Sequence, residues 1–367
     1  MHDIAIIGAG PAGSTLARLV ADRYKVLLID KRQLKGNTSA PWFQKCCGGL
    51  LAPDAQKILS QFGLGLPKNV LVNPQIFVVR AIDQAHSLER YYQRFYINLD
   101  RYRFDCWQLS MVPPSVDIRL GVRLISFNAL SKGYKILLQK NGNIFEETAR
   151  TVIGADGAAS KVRRIIAKGQ PSPKKYIAVQ EWVETNGAVP YFSTFFDNAI
   201  TDFYGWTIPK EDMILVGAAL PPKKDVVKRF NQLKQCLTQQ GVQLGRTVAR
   251  VGAVINRPLS INHIYTGAKG VGLLGEAAGW ISPSSAEGFS YAFKSARHLA
   301  DALRGGLEGF NNRYARNTRN LRLNIVLKNL KSPFMYNNLL RRMILRCGIN
   351  SVKVIDDASG KLTRNDT

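Results

Sequence analysis

Three glycines close to the N-terminus follow the spacing Gly8-x-Gly10-x-x-Gly13, which is typical of turns that bind the pyrophosphate of a dinucleotide. The first glycine permits a tight turn, the second lets the backbone approach a phosphate, and the third lets a helix pack close to a strand. Amides at the start of that helix would face the phosphates. We therefore expect Gly8, Gly10, Ala12 and Gly13 to contact a nucleotide cofactor.

A strand, a helix and a second strand must surround this turn for the pattern to bind a nucleotide. Residues 3–8 are an apolar run typical of a buried parallel strand, apolar residues then recur at helical spacing, and residues 25–30 predict a second strand. Asp30 ends that strand 22 residues after Gly8. Its carboxylate can bind both hydroxyls of an adenosine ribose, which disfavours a 2′-phosphate. Asp30 and Lys31 are thus expected cofactor contacts, with NAD and FAD both open.

The rest of the sequence alternates between strand-rich and helical patterns. From about residue 66 the pattern is rich in strands, residues 101–112 predict a helix, and further strands follow. Residues 176–220 are again β-rich, residues 288–303 predict a helix, and residues 311–350 are mostly helical in pattern. We therefore expect the chain to cross between two domains more than once.

Two later glycine motifs each end an apolar strand, one at Asp156-Gly157 and the other at Gly275-Glu276. Together with the first turn, they resemble in type and order the flavoprotein group that includes aromatic hydroxylases, flavin halogenases and geranylgeranyl reductases. The resemblance implies FAD as the cofactor. It also implies that Asp156, Gly157 and Arg101 line the pyrophosphate region, the alternative for Arg101 being a solvated surface charge.

In that group the acid of the third motif holds the ribitol chain of FAD, a role that would fall on Glu276, with Gly275 and Gly279 beside it. Glutamate stands where aspartate is usual, and its longer side chain can still reach a ribityl hydroxyl. Gly288 precedes a helix with a 3.6-residue apolar period. If the N-terminus of that helix points at the flavin ring, its amides would stabilise negative charge on the reduced cofactor.

Longer runs narrow the resemblance to the geranylgeranyl reductase family and, within it, to the bacterial CbrA-like flavoproteins. These runs lie at residues 45–56, 73–77, 92–101, 196–206 and 275–292. The resemblance implies reduction of a prenyl lipid, in which reduced FAD delivers hydride to a carbon–carbon double bond and a proton follows from the other side.

The run Cys47-Gly48-Gly49 resembles the PCGG turn of that family, in which the cysteine lies near the flavin. Cys47 is therefore the candidate catalytic residue, and Gly48 is a candidate cofactor contact. Cys46 stands where the family has proline, which removes a fixed φ angle and leaves open which thiol is functional. The alternative reading of Cys47 is a small buried hydrophobe in a tight turn.

Residues 204–209, Tyr-Gly-Trp-Thr-Ile-Pro, resemble the substrate-pocket motif YxWxFP of the same family, with isoleucine in place of phenylalanine. The resemblance makes Tyr204, Trp206 and Pro209 candidate substrate contacts. Nine aromatic residues fall between positions 176 and 206, which favours a pocket for a long apolar ligand. Ordinary sheet packing is the alternative, because strands are rich in aromatic residues.

The chain is strongly basic, with 51 Lys and Arg against 26 Asp and Glu and a formal net charge of +25. Such a charge attracts anionic surfaces. Residues 310–350 contain nine Lys or Arg and no acid, interleaved with apolar residues. They predict either a basic amphipathic segment on an anionic membrane or core-capping helices with solvated faces. No nucleic-acid recognition motif occurs, so we expect no specific nucleic-acid partner.

Other function classes are disfavoured by cysteine, histidine and hydropathy patterns. The five cysteines include no CxxC pair and the four histidines are scattered, so neither a disulfide framework nor a metal site is expected. No apolar run reaches the length of a membrane span, and residue 3 already enters a predicted strand. We expect a cytoplasmic protein, peripheral at most on the inner face of the cell membrane.

The expected fold class is α/β, with an FAD-binding Rossmann-like domain interleaved with a β-rich substrate domain and followed by a helical C-terminal segment. We assign residues 1–65, 101–165 and 266–308 to the FAD-binding domain, 66–100 and 166–265 to the substrate domain, and 309–367 to the basic helical segment.

The expected activity is FAD-dependent reduction of carbon–carbon double bonds in a prenyl or polyprenyl lipid. One alternative is an FAD-dependent monooxygenase that hydroxylates an aromatic or lipid substrate, and another is a non-catalytic, flavin-containing binding or resistance protein. No second nucleotide fingerprint is visible in the sequence, so NADPH, NADH, ferredoxin and a membrane quinol all stay open as electron donors.

Overall fold

Two β-sheets and a set of helices make up the computed structural model, which describes residues 1–34, 45–185, 187, 190–356 and 361–362. The strands are β1 His2–Ile7, β2 Val26–Asp30, β3 Leu50–Leu51, β4 Ile76–Asp83, β5 Leu88–Asn98, β6 Asp117–Leu120, β7 Arg123–Ala129, β8 Tyr134–Lys140, β9 Asn143–Gly154, β10 Lys174–Glu184, β11 Tyr191–Phe196, β12 Gly205–Lys210, β13 Met213–Leu220, β14 Thr247–Arg257, β15 Gly267–Ala268, β16 Val271–Leu273, β17 Ser351–Val352, β18 Ile355–Asp356 and β19 Lys361–Leu362. The helices are α1 Pro11–Val20, α2 Pro53–Gln61, α3 Arg101–Ser110, α4 Lys161–Ile166, α5 Val226–Gln239, α6 Phe289–Arg304, α7 Phe310–Asn317, α8 Arg319–Lys331, α9 Pro333–Tyr336 and α10 Asn338–Cys347.

The first sheet has the strand order β15-β16-β9-β1-β2-β6, with the β7–β8 hairpin attached to β9. Its strands from β16 to β6 are parallel. Ile7 at the end of β1 pairs with Gly154 at the end of β9, and Leu273 at the end of β16 pairs with the same Gly154. The residues that follow these three strands therefore lie side by side at one edge of the sheet, where α/β proteins bind ligands.

Helices cover both faces of the first sheet. Helices α1 and α6 pack on one face around a core that includes Leu16 and Leu299. The other face holds the β7–β8 hairpin, Trp280 and two residues of α8, Leu321 and Ile325. Both faces of the strands are buried, which explains why residues 4–7 of β1, 26–29 of β2 and 152–154 of β9 are apolar.

The second sheet has the order β14-β10-β13-β12-β11-β4-β5-β17, with β3 attached to β5. Its pairs are antiparallel except for β11 with β4. One core of this sheet includes residues of α5, and another is aromatic and includes residues of α9 and α10. The chain passes repeatedly between the two sheets, because β3 to β5 and β10 to β14 interrupt the strands of the first sheet.

The sequence-based fold class is confirmed. The expected helices at 101–112 and 288–303 correspond to α3 and α6, and the expected helical region at 311–350 contains α7 to α10. Two results differ from the sequence analysis. Helices α2, α4 and α5 were not predicted, and the segment after Cys347 contains the short strands β17 to β19 rather than further helix.

Candidate functional site

The three glycine motifs meet at the shared edge of the first sheet. A Cβ atom on Gly8 would lie 2.5 Å from the carbonyl oxygen of Ala155, next to the Asp156-Gly157 motif. A Cβ on Gly13 would lie 1.8 Å from the Gly8 oxygen, and one on Gly275 would lie 3.1 Å from the Cβ of Ala12. The structure thus brings the motifs into contact, and the contacts themselves require glycine.

Open space lies over other glycines of the same edge. A Cβ on Gly10 would meet only Nη2 of Arg32, at 3.9 Å, and a Cβ on Gly157 or Gly288 would meet no atom of the described residues within 4 Å. Gly10 also precedes α1, whose N-terminus receives no side-chain cap among the described residues. These features fit a dinucleotide, which needs backbone it can approach and helix amides for its pyrophosphate.

Asp30 lies at the end of β2 with both carboxylate oxygens engaged. Oδ2 accepts a hydrogen bond from the backbone amide of Ala9 at 2.8 Å, and the Arg32 guanidinium donates to both oxygens. Lys31, which the sequence analysis assigned to the cofactor, is exposed. Arg32 is thus the basic residue that contacts Asp30, and the ribose would share the remaining lone pairs of that carboxylate.

Arg32 begins a mostly buried chain of charged groups that leads to Cys47. Nη1 of Arg32 donates to Oδ2 of Asp105 at 2.7 Å, and Nε of Arg101 donates to Oδ1 of Asp105 at 2.7 Å. Nη1 of Arg101 then donates to Sγ of Cys47 at 3.2 Å. Burial would raise the pKa of Asp105, but Arg101 and Arg32 lower it to about 2. Arg101 is therefore mostly buried and ion-paired with Asp105, and it is not the solvated surface charge of the alternative reading.

The two adjacent cysteines differ in their electrostatic surroundings. Burial alone would raise the pKa of Cys47, but the Arg101 guanidinium, the Gly49 amide and Lys45 together hold it below its ordinary value. Burial raises the pKa of Cys46 to about 12. Of the two thiols, Cys47 is therefore the one that loses its proton more readily.

The glycines after Cys47 pack this turn against the second sheet. A Cβ on Gly48 would lie 2.6 Å from Cδ1 of Ile208 on β12. Gly49 has φ +61°, and a Cβ there would lie 2.3 Å from the carbonyl oxygen of Leu99. Gln180 on β10 donates to the Cys47 carbonyl oxygen at 3.3 Å. The turn that carries Cys47 therefore joins the charged chain of the first sheet to the strands of the second.

Lys210 ends β12 with its ammonium group buried next to the same turn. Its Nζ donates to Oδ1 of Asn98 at 2.5 Å and to the Leu99 carbonyl at 2.9 Å. Burial among neutral acceptors lowers the pKa of Lys210 to about 7. A small cavity is lined by Lys45, Cys47, Leu99, Asp100, Arg101, Trp182 and Lys210. Cys47 and Lys210, whose pKa values are both lowered, thus line one cavity.

The acids of the second and third glycine motifs have different surroundings. Asp156 accepts hydrogen bonds from Oγ of Ser160 at 2.5 Å and from the Lys161 amide at 2.6 Å, so its carboxylate caps α4. Glu276 accepts one from the Asn256 amide on β14 at 2.9 Å, and burial raises its pKa above the ordinary value. Gly157, with φ +75°, and Gly279, with φ +93°, adopt left-handed conformations. Asp156 therefore supports the loop, while Glu276 keeps oxygen lone pairs for a further donor.

Two of the three expected substrate contacts, Tyr204 and Trp206, lie in an aromatic cluster on one face of the second sheet. Alternation along β12 places Pro209 on the other face. Tyr204, Trp206 and Pro209 are all buried. The ring centroids of Tyr204 and Trp206 are 5.5 Å apart, and Tyr336 of α9 lies 5.2 Å from Phe203. The Nε1 of Trp206 is buried without a hydrogen-bond partner among the described residues. The cluster is therefore aromatic, with an indole donor left over. It also includes the buried guanidinium of Arg257, whose Cζ lies 4.3 Å from the ring centroid of Phe203 and 4.2 Å from that of Tyr336.

The segment before α6 is held between the two sheets. The Tyr204 hydroxyl donates to the Ser285 carbonyl at 2.6 Å, and the Tyr96 hydroxyl donates to Glu287 at 2.5 Å. Gly288 is the N-cap of α6 and has no side-chain hydrogen bond. The segment that leads into α6 is thus positioned by residues of the second sheet.

Comparison with curated proteins gives one consistent result. The chain is 40% identical to protein CbrA of Escherichia coli O6:H1 over 361 residues, which cover 98% of this chain and 97% of that protein. It is also 40% identical to protein CbrA of Shigella sonnei, over 97% of this chain and 99% of that protein. The chain belongs to the CbrA family. No protein-family model matches the chain.

Solved structures show the same fold at low sequence identity. The CbrA family chain superposes with a TM-score of 0.79 on a geranylgeranyl bacteriochlorophyll reductase-like protein from Thermoplasma acidophilum, with 19% identity and coverage of 98% of this chain and 94% of that one. The p-nitrophenol 4-monooxygenase PnpA from Pseudomonas putida superposes with a TM-score of 0.69 and 14% identity over 95% and 93% of the two chains. These comparisons establish the fold of the CbrA family member.

Four residues of this site in the CbrA family member were not predicted from the sequence. They are Arg32, Asp105, Asn98 and Lys210. One signal for Asp105 was available, because it stands four residues after Arg101 in a predicted helix, which is the spacing of a helical ion pair. In the described part of the chain, no group of three or more His, Cys, Asp or Glu side chains is placed to hold a metal ion.

Proposed function

We propose that this CbrA family member is an FAD-dependent oxidoreductase that reduces carbon–carbon double bonds of a prenyl or polyprenyl lipid. The observation that carries the proposal is the position of the Cys47–Arg101 pair. One side of the pair is linked through Asp105 and Arg32 to the glycine edge of the first sheet. On the other side, Gly48 packs on Ile208 of β12, the strand that carries Trp206.

The residues of the glycine edge fit FAD. Gly8, Gly10 and Gly13 would hold its pyrophosphate, Asp30 its ribose and Glu276 its ribitol, while the amides of α6 beyond Gly288 would face the flavin ring. FAD, when bound and reduced, supplies hydride to a carbon of the substrate. The basic chain of Arg32 and Arg101 favours anionic groups in this space.

The proton needed to complete the reduction is assigned to Cys47. Reduction of a double bond adds a hydride to one carbon and a proton to the other, and Sγ of Cys47 can donate that proton. Arg101, 3.2 Å away, stabilises the thiolate that is left. Lys210, which lines the same cavity, can return a proton to this space between turnovers, because burial lowers its pKa to about 7.

The lipid class is supported by the aromatic cluster and by the fold. Tyr204 and Trp206 contribute aromatic rings to the cluster on one face of the second sheet, and Pro209 is a buried apolar residue of β12. A long apolar ligand gains binding free energy from such surfaces. The T. acidophilum structure of the same fold is described as geranylgeranyl bacteriochlorophyll reductase-like.

A monooxygenase acting on an aromatic or lipid substrate is the second candidate function. It is favoured by one observation, which is that PnpA and a probable FAD-dependent monooxygenase from Pseudomonas aeruginosa share this fold at TM-scores of 0.69 and 0.67. The Trp206 indole could then donate a hydrogen bond to a polar aromatic substrate. The two candidates differ in their need for oxygen.

Turnover of the purified protein with a polyprenyl lipid extract distinguishes these functions. We expect the wild type to add two hydrogen atoms to the lipid without oxygen, with a chemical reductant as electron donor. Cys47→Ala should keep its flavin and lose at least about a hundredfold in turnover, while Cys46→Ala is the matched control. Transfer of an oxygen atom that requires air would instead support the monooxygenase, and flavin that no lipid or aromatic reoxidises would support a binding protein without turnover.

A further inference from the structure

Helix α8 carries apolar residues on two opposite faces. Leu321 and Ile325 point inward and pack on the first sheet, where both are almost fully buried. Leu323, Leu327 and Leu330, at spacings of four and three residues, lie on the opposite face. The exposed fractions of these three residues are 55%, 48% and 66%. The inner face alone accounts for the folding of α8, so the outer apolar face needs another explanation.

The outer face of α8 continues into α9. Ser332 between the two helices has helical backbone angles, and its carbonyl accepts the Tyr336 amide. Helical spacing therefore places Phe334 of α9 in line with Leu323 and Leu330, and Phe334 is 46% exposed. We call the resulting surface the outer stripe; its residues are Leu323, Val326, Leu327, Leu330 and Phe334. Helix α10 adds two more exposed apolar residues, Leu339 and Met343, one turn apart.

Buried polar contacts fix the direction in which the outer stripe faces. The Tyr291 hydroxyl donates to Asn324 at 2.5 Å, and Asn329 donates to the Pro258 carbonyl at 2.9 Å, both from the inner side of α8. Rotation of α8 to bury the stripe would break these contacts and expose Leu321 and Ile325. The stripe is therefore a permanent surface of the folded protein.

The segment that carries the outer stripe has charges of one sign only. Residues 309–355 contain no Asp or Glu, and the exposed Arg319 and Lys331 lie at the two ends of α8. A second copy of the chain would bring the same positive charges together, which opposes self-association through this face. An anionic bilayer offers both hydrocarbon for the stripe and negative headgroups for the arginines and lysines.

We propose that the outer stripe docks this protein on the surface of an anionic lipid bilayer. The side chains of the stripe enter the boundary between headgroups and acyl chains, and Arg319 and Lys331 contact lipid phosphates. Among the described residues no helix is long and apolar enough to cross a membrane, so the contact is with the surface. Tyr336, two residues after Phe334, lies in the aromatic cluster, which places that cluster directly behind the membrane face.

Flotation of the full chain with lipid vesicles tests this proposal. We expect the protein to float at low ionic strength with vesicles that are one-third phosphatidylglycerol and two-thirds phosphatidylcholine. The double variant Leu327→Gln with Leu330→Gln should lose at least about tenfold in vesicle affinity, because it removes two side chains that insert. Arg319→Gln with Lys331→Gln should lose about thirtyfold at low salt and less at high salt.

Ile144→Gln is the matched control, since Ile144 on β9 is as exposed as the stripe residues, at 59%. It should float like the wild type, and all variants should keep wild-type melting temperatures. The proposal is overturned if the wild type fails to float, or if the leucine variant floats as well as the Ile144 control. It is also overturned if light scattering shows a wild-type dimer that the leucine variant converts to monomer, because the stripe would then bind a second copy.

Discussion

Nη1 of Arg101 lies 3.2 Å from Sγ of Cys47, and the same guanidinium lies 2.7 Å from Asp105 through its Nε. Asp105 is in turn held by Arg32, so the orientation of Arg101 is fixed from two sides. A guanidinium held in this way stabilises a Cys47 thiolate without first changing its own position. A thiol that donates a proton needs such a fixed positive group beside it.

Selective alkylation should separate the two adjacent thiols. Near neutral pH, iodoacetamide should modify Cys47 more than about tenfold faster than Cys46, because only Cys47 has a lowered pKa and the thiolate is the nucleophile. Peptide mass spectrometry of the purified protein over time gives both rates. Arg101→Gln should slow the Cys47 reaction and leave Cys46 unchanged. Equal alkylation rates for the two cysteines in the wild type would contradict the conclusion that Arg101 lowers the pKa of Cys47.

Lys210 should make stability depend on pH. Burial lowers its pKa to about 7 from 10.5. The unfolded chain therefore binds more protons than the folded chain between these two values, so this lysine should make the free energy of unfolding rise with pH across that window, by up to about 1.4 kcal/mol per unit. Urea unfolding at several pH values measures it. Lys210→Met should flatten the slope relative to the wild type, and a variant with the wild-type slope would contradict the burial of a charged group.

Much of this site could be predicted from the sequence, because each of its glycine turns is formed by one short segment. The strand-turn-helix around Gly8 and the motifs at Asp156 and Glu276 lie within short segments, and parallel pairing of their strands brings them to one edge. The pairing of Arg32 with Asp105 joins residues 73 positions apart. A buried ion pair of this kind leaves no periodic pattern, so sequence alone did not show it.

Two features depend on packing that no single segment reveals. Lys210 ends β12, where a terminal lysine is usually solvated, and the approach of Asn98 and Leu99 buries it. Helix α8 was expected to be amphipathic, but it carries apolar residues on both faces because Leu321 and Ile325 pack on the first sheet.

The acids of the second and third glycine motifs should respond differently to loss of charge. Glu276→Gln should raise the dissociation constant for FAD by about tenfold, because a charged acceptor is replaced by a weaker neutral one. Asp156→Asn should leave that constant nearly unchanged and lower the free energy of unfolding by about 1 kcal/mol, since Asp156 caps α4. Flavin fluorescence titration and urea unfolding give the two quantities. If Asp156→Asn weakened FAD binding and Glu276→Gln only lowered the free energy of unfolding, the roles given to the two acids would be wrong.

The buried ion pair between α10 and the second sheet should be essential to stability. Arg341 donates to Asp83 through Nε at 2.9 Å, and both side chains are almost fully buried. Arg341→Met should lower the free energy of unfolding by about 3–5 kcal/mol, because it leaves the Asp83 charge without its arginine partner. Arg346→Met, at an exposed position of the same helix, should change it by less than about 0.5 kcal/mol. Similar effects of the two variants in urea unfolding would show that the pair does not anchor α10.

The most direct test of the proposed function is an anaerobic single turnover. The FAD-loaded protein is photoreduced without oxygen, a polyprenyl lipid extract is added, and the visible flavin band is followed while lipid masses are measured in parallel. We predict that the band returns without oxygen and that a lipid gains two hydrogen atoms. If the flavin stays reduced until air is admitted, and a lipid or aromatic compound then gains an oxygen atom, the reductase account is wrong.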